Sequence, residues 1–118
     1  MMADAKAIYD FWFGGPELND FGKSRKAWFV KDPAFDEDIR RRFLATLESA
    51  QRDELQHWRD SPQGCLSLII LLDQFPRNMF RDTPRAFATD AMALEAARFG
   101  LDRSYDQTFI SLERIFFY

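Results

Sequence analysis

The chain is poor in the residues from which metal and redox centres are built. Among 118 residues there is one cysteine, Cys65, and one histidine, His57. A lone cysteine excludes an internal disulfide and any multi-cysteine metal site, and a lone histidine argues against a histidine-rich metal centre. Basic excess is also missing. With 16 Lys and Arg against 19 Asp and Glu, the formal net charge is −3, so no global field attracts nucleic acid or anionic lipid. Glycine and proline are sparse, five of each, which speaks against a loop-rich scaffold. Long apolar runs are absent too. The longest, Leu66 to Leu72, broken only by Ser67, is far short of the roughly 20 residues needed to cross a bilayer. Asp4 and Lys6 interrupt the N-terminus before any continuous signal-peptide core forms, so a cytoplasmic protein is expected, without membrane contact.

What the chain has is aromatic and aliphatic bulk. Apolar residues are 47% and Phe, Trp and Tyr together 16%, enough to exclude a disordered chain and to fill one core. One domain over residues 1–118 is expected.

Hydrophobic spacing is helical throughout, and no stretch alternates with period two long enough for a strand. Ala5, Ile8, Tyr9, Trp12 and Phe13 share one face of a first helix capped by Asp4, which Gly14-Gly15-Pro16 should stop. Asn19, Asp20 and Gly22 suggest a loop, followed by a short helix over Lys23 to Val30. The glycines lack the spacing, lysine and preceding strand of a phosphate loop. Asp32 and Pro33 open the next helix, with Phe35, Ile39, Phe43, Leu44 and Leu47 on its buried face. Asp36–Arg40, Glu37–Arg41 and Asp38–Arg42 then read as i,i+4 pairs on a solvated face. That pairing argues against a nucleic-acid role for Arg40-Arg41-Arg42. Leu55 and Trp58 read as a kinked extension or separate turn, with His57 a surface or half-packed histidine.

Ser61-Pro62 starts the central helix, expected to run to Gln74 with its apolar residues wrapping more than one stripe. Cys65, near its start, reads as a partly buried, inert thiol. Pro76 should end the helix, because its ring clashes with the carbonyl four residues back. Arg77 to Asp82 then becomes a tight connection. Helix follows between Thr83 and Gly100, in one or two pieces, with Asp90 able to cap the second and Gly100 expected to end it. Its alanines allow close helix approach. Ser104 and Gln107 spell a capping box before an apolar face of Phe109, Leu112 and Phe116. The fold class is all-α.

Polar residues gather at the proline-marked junctions: Asp73, Gln74, Arg77, Asn78, Arg81, Asp82, Arg85, Thr89 and Asp90. Two readings compete. In one, Arg77 and Arg85 offer forked donors to a carboxylate or phosphate, and Asp73 serves acid–base work. In the other, the arginines satisfy carbonyls freed at a broken helix, and Asp73 or Asp90 pairs with them. The second is favoured, because arginine–carboxylate networks commonly tie helix junctions. No nucleophile–base pair, metal set or cofactor fingerprint can be assembled, so no catalytic residue and no cofactor is assigned.

Four segments together resemble a bacterial group, domain-of-unknown-function family 924. They are Phe11-Trp12-Phe13-Gly14, the stretch from Trp28 to Asp36, Leu72-Asp73-Gln74-Phe75-Pro76-Arg77-Asn78, and Arg85-Ala86-Phe87-Ala88-Thr89-Asp90. The resemblance spans essentially the whole chain. It implies stacked antiparallel helical hairpins in a tetratricopeptide-like right-handed superhelix, and it implies no activity. Family members usually continue past a segment like Phe116-Phe117-Tyr118 into a Pro-Phe-x-His-Ser-Glu type motif, where this chain stops. A shortened array is expected to leave an apolar face, so a homodimer through Phe109, Leu112 and Phe116 is anticipated. Function stays open between two classes. One is a helical scaffold presenting a groove to a protein or peptide. The other is a small-molecule binder or enzyme at Asp73, Arg77 and Arg85.

Overall fold

Asp4 opens the first helix as its sequence suggests: its carboxylate accepts from the Ala7 N–H at 2.9 Å. The computed structural model describes residues 4–13 and 33–108. The Gly14-Gly15-Pro16 stop, the expected helix at Lys23 to Val30, the Asp32 cap and the face of Phe109, Leu112 and Phe116 lie outside the described residues. Within them the chain is all-α. Helix α1 is Ala5–Phe13 and α2 is Pro33–Gln51. A 3-10 turn, Gln56–Asp60, leads to α3, Pro62–Ile69. Then come α4, Phe75–Met79, a second 3-10 turn at Pro84–Phe87, and α5, Asp90–Asp102. A last 3-10 turn spans Tyr105–Thr108.

The rod formed by α3 and the helical turn that follows it, Ile70–Gln74, is the axis. Leu66, Leu68, Ile69, Ile70, Leu71 and Leu72 are all buried, with α1 on one side and α5 on another. Cover on several sides is why no single apolar stripe is visible there. Against α5 the approach is made by Ala93, Ala96 and Ala97, and the Cys65 thiol donates to the Ala96 carbonyl at 3.3 Å. Cys65 is fully enclosed, and burial pushes its thiol up to about 11. Phe75 joins the other helices. Its ring lies 5.8 Å from Trp12 of α1 and 4.9 Å from Phe43 of α2.

Ser61 and Pro62 act as expected: the Ser61 hydroxyl accepts from the Gly64 N–H at 3.1 Å, and Pro62 occupies the first turn. Gly64 is needed for space, since a Cβ there would stand 2.2 Å from the Trp58 carbonyl oxygen.

Four local expectations need correction. Pro76 does not end the rod. A π-helical turn at Ile70–Gln74, in which the Phe75 N–H reaches back to the Ile70 carbonyl, lets the chain continue helically through Pro76 to Met79. The wider turn relieves the steric conflict that a regular α-helix would impose. Asp36 is not on a solvated face: it is 8% exposed. Its expected partner Arg40 instead bonds Glu37 at 2.8 Å, and Arg41 bonds Asp38 at 2.6 Å; of the three i,i+4 pairs, Arg42–Asp38 forms, at 3.6 Å. Gly100 is buried inside α5, which runs two residues further; Ser104, at φ 57°, is the left-handed residue beyond it. Ser104 and Gln107 make no capping box. The Ser104 N–H donates to the Leu101 carbonyl, and the Gln107 amide goes to Asp106.

Candidate functional site

The widened turn creates the site. Proline has no N–H, so the carbonyl four residues before Pro76, that of Leu72, loses its helical donor. The Thr89 hydroxyl takes that place, donating to the Leu72 carbonyl at 2.6 Å from a side chain only 3% exposed. Thr89 is the residue preceding α5, but its hydroxyl caps nothing in that helix. One residue on, Asp90 is likewise not a cap. Its two carboxylate oxygens accept from Arg77 Nη2, each at 3.2 Å.

Arg77 is the centre of this group. Its Nη1 donates to the Asp73 carboxylate at 2.7 Å and also to the Asp73 carbonyl. The guanidinium carbon lies 5.2 Å from the centroid of the Phe87 ring. Gln74 completes the set by donating its amide to Asp73 at 2.7 Å. Asp73, Gln74, Arg77, Thr89 and Asp90 therefore form one junction between the end of the central rod and the start of α5.

Asn78 and Arg85 do not join it. Neighbouring helical residues point about 100° apart, and Asn78 faces α2, where its amide donates to Asp36 at 2.8 Å. At Phe80 (φ −125°, ψ 36°) the chain leaves the helix, which carries Arg81 to the same carboxylate. Arg81 Nε and Nη2 bond the two Asp36 oxygens at 2.8 and 3.0 Å, a forked pair. Burial works to raise the Asp36 pKa, but the hydrogen bonds from Arg81 and Asn78 and the charges of Arg81 and Arg40 outweigh it. The carboxyl is held below its usual 3.8, and its hydrogen bond and charge in turn raise Arg81. Arg40 donates to the Met79 carbonyl, covering the end of α4. An open cleft of about 350 Å³ lies along Asp36, Arg40, Asn78 and Arg81.

Arg85 stands apart. It is exposed, its guanidinium carbon 3.9 Å from the centroid of Phe80, and among the described residues it makes no ion pair. Thus the two arginines expected to converge are differently engaged: Arg77 by two carboxylates, Arg85 by an aromatic face.

Asp36 is the residue that sequence reasoning missed. Its position gave a signal: residues 36, 39, 43 and 47 follow one another at helical spacing, so Asp36 continues the face of Ile39, Phe43 and Leu47. No group of three His, Cys, Asp or Glu among the described residues could hold a metal ion. No helix of the described residues is long and apolar enough to cross a membrane.

A chain with this all-helical core and polar junction is matched by a family model over residues 8–118, that of the bacterial proteins of unknown function DUF924. The chain belongs to that family. Among solved structures it is similar to a protein of unknown function from Agrobacterium tumefaciens, at 39% identity and a TM-score of 0.82, with 96% of this chain covered. The chain spans 60% of the length of that protein. Comparison with curated proteins finds no significant match.

Proposed function

We propose that the chain is a cytoplasmic bacterial helical scaffold, a protein- or peptide-interaction module whose hairpins stack in the tetratricopeptide-like manner. The observation that carries this reading is the engagement of Arg77 by Asp73 and Asp90, with Thr89 closing the Leu72 carbonyl. A guanidinium held by two carboxylates offers an incoming anion little, because binding must first break those bonds. The junction then serves to lock α5 onto the rod. Cys65 adds support from the chemical side, since a buried thiol pushed up to about 11 is no nucleophile at neutral pH.

The alternative, a small-molecule anion binder or enzyme at Asp73, Arg77 and Arg85, rests on Arg85 and its missing ion pair. Arg77→Ala and Arg85→Ala separate the two. The scaffold reading expects Arg77→Ala to cost about 1–3 kcal/mol in urea unfolding and Arg85→Ala less than about 1 kcal/mol. It also expects no saturable binding of phosphate or citrate by calorimetry. Saturable binding that disappears in a well-folded Arg85→Ala protein would overturn it.

A further inference from the structure

Three large apolar side chains stand exposed among the described residues: Phe87 at 58%, Leu94 at 52% and Leu101 at 37%. Singly exposed apolar residues need no explanation, but these three share one line. Leu94 and Leu101 are seven residues, two helical turns, apart and so fall on one side of α5. Phe87 precedes that helix, yet Arg77 ties it to the same side, since one guanidinium both covers its ring and bonds Asp90. Asp90 and the exposed Arg98 fill the intervals. The steps 90, 94, 98 and 101 are those of a stripe along α5, and Phe87, in the 3-10 turn ahead of it, extends that line at its N-terminal end.

The stripe is symmetric about Leu94. Seven residues to either side is an apolar side chain, Phe87 or Leu101. Four residues to either side is a charge, and the signs are opposite, Asp90 before and Arg98 after. An antiparallel helix pair related by a two-fold axis sets each residue at +k from its centre against the partner's residue at −k. Here that operation places apolar on apolar and acid on base at every step. A parallel arrangement would set Asp90 against itself and Arg98 against itself.

We propose that this stripe docks a second copy of the chain. Two α5 helices lie antiparallel with Leu94 on the axis, Phe87 against Leu101 of the partner subunit, and Asp90 against Arg98 of the partner subunit. The incoming guanidinium adds to the Arg77–Asp90 pair, which a carboxylate can accommodate because it has about four acceptor sites. Three turns of helix supply less than the roughly 800 Å² per partner of a standard interface, so the dimer is weak and concentration-dependent. The surface differs from that of Phe109, Leu112 and Phe116, and it rests on the reading of the Arg77–Asp90 pair as structural.

Sedimentation of the full chain from about 10 to about 500 μM should show a reversible monomer–dimer equilibrium. Leu94→Asp and Arg98→Glu, both exposed and both checked for folding by circular dichroism, should each raise the dissociation constant about tenfold or more. Leu94→Cys is the sharper probe, because the only native thiol is enclosed. Under mild oxidation it should cross-link at least about tenfold faster than Gln63→Cys, which presents a thiol on an exposed residue away from the stripe. A monomer across the whole range would overturn the proposal and leave the stripe to a different protein. Dimers unaffected by Leu94→Asp would overturn it in favour of another face, as would equal cross-linking rates for the two cysteine variants.

Discussion

Thr89 and Leu72 are joined by a 2.6 Å hydrogen bond that spans 17 residues of sequence and repairs the gap left by Pro76. The donor is a hydroxyl with almost no solvent access, and the acceptor is a main-chain carbonyl in the most enclosed part of the rod. Exchange with water is therefore a poor substitute for this bond.

Replacing Thr89 with Val keeps the shape and removes the donor. A buried acceptor left unpaired costs about 1–3 kcal/mol. We expect urea unfolding of Thr89→Val to shift by that amount with an unchanged m-value, and Thr89→Ser to recover most of the loss. A Val variant as stable as the parent would show that Leu72 finds another donor.

The Asp36–Arg81 pair predicts acid sensitivity of known sign. The folded-state pKa of Asp36 lies below its ordinary 3.8. Its contribution is thus complete above the ordinary value and is lost as pH falls through the folded one. The stability gap between the parent and Asp36→Asn should be flat from about pH 5 to 7 and shrink below about pH 4. At neutral pH the variant should lose about 1–3 kcal/mol, since Arg81 keeps a neutral acceptor but no counter-charge. A gap that widens towards low pH would contradict the assignment.

Gly64→Ala tests the close approach of α3 to the Trp58 carbonyl. The added carbon would meet the Trp58 carbonyl at 2.2 Å, and that oxygen is main chain and cannot swing aside. The cost should be about 1–3 kcal/mol, read as a lowered thermal midpoint. Gly100→Ala, inside α5, provides a comparison at a second buried helical glycine.

Cys65 should resist a disulfide reagent at pH 8 in the native protein and react fully in urea. Its enclosure and a pKa of about 11 both withhold the thiolate. Native reactivity within minutes would mean that α3 and α5 part readily.

The parts of the fold legible in the sequence are those governed by one local rule. Asp4, Ser61 and Pro62 start helices because an acceptor side chain or a missing N–H suits a first turn wherever it occurs. The buried faces of α1 and α2 follow from period alone. The failures have a common origin in tertiary partners that local rules ignore. Pro76 is a helix breaker only while the preceding turn is a regular one, and nothing local announces Thr89 as donor to the freed carbonyl. Asp90 looks like a cap until Arg77 claims its carboxylate. Asp36 looks solvated beside three arginines until Arg81, 45 residues away in sequence, reaches it. The junction residues stand together in the sequence, but their division between α5 and α2 depends on where the helix ends, at Phe80.

The π turn at Ile70–Gln74 also acts as a gear change. An additional residue within a helical ladder offsets all that follows by about 100°. Upstream of it the rod is committed to α1 and α5; downstream, α4 is committed to α2. One continuous rod can thus mate with two sets of neighbours that no straight helix of this sequence could serve together. Wound as a regular α-helix with no residue removed, the same sequence would re-index Arg77 and Asn78 at a stroke, turning each by about 100° away from the carboxylate it now grips.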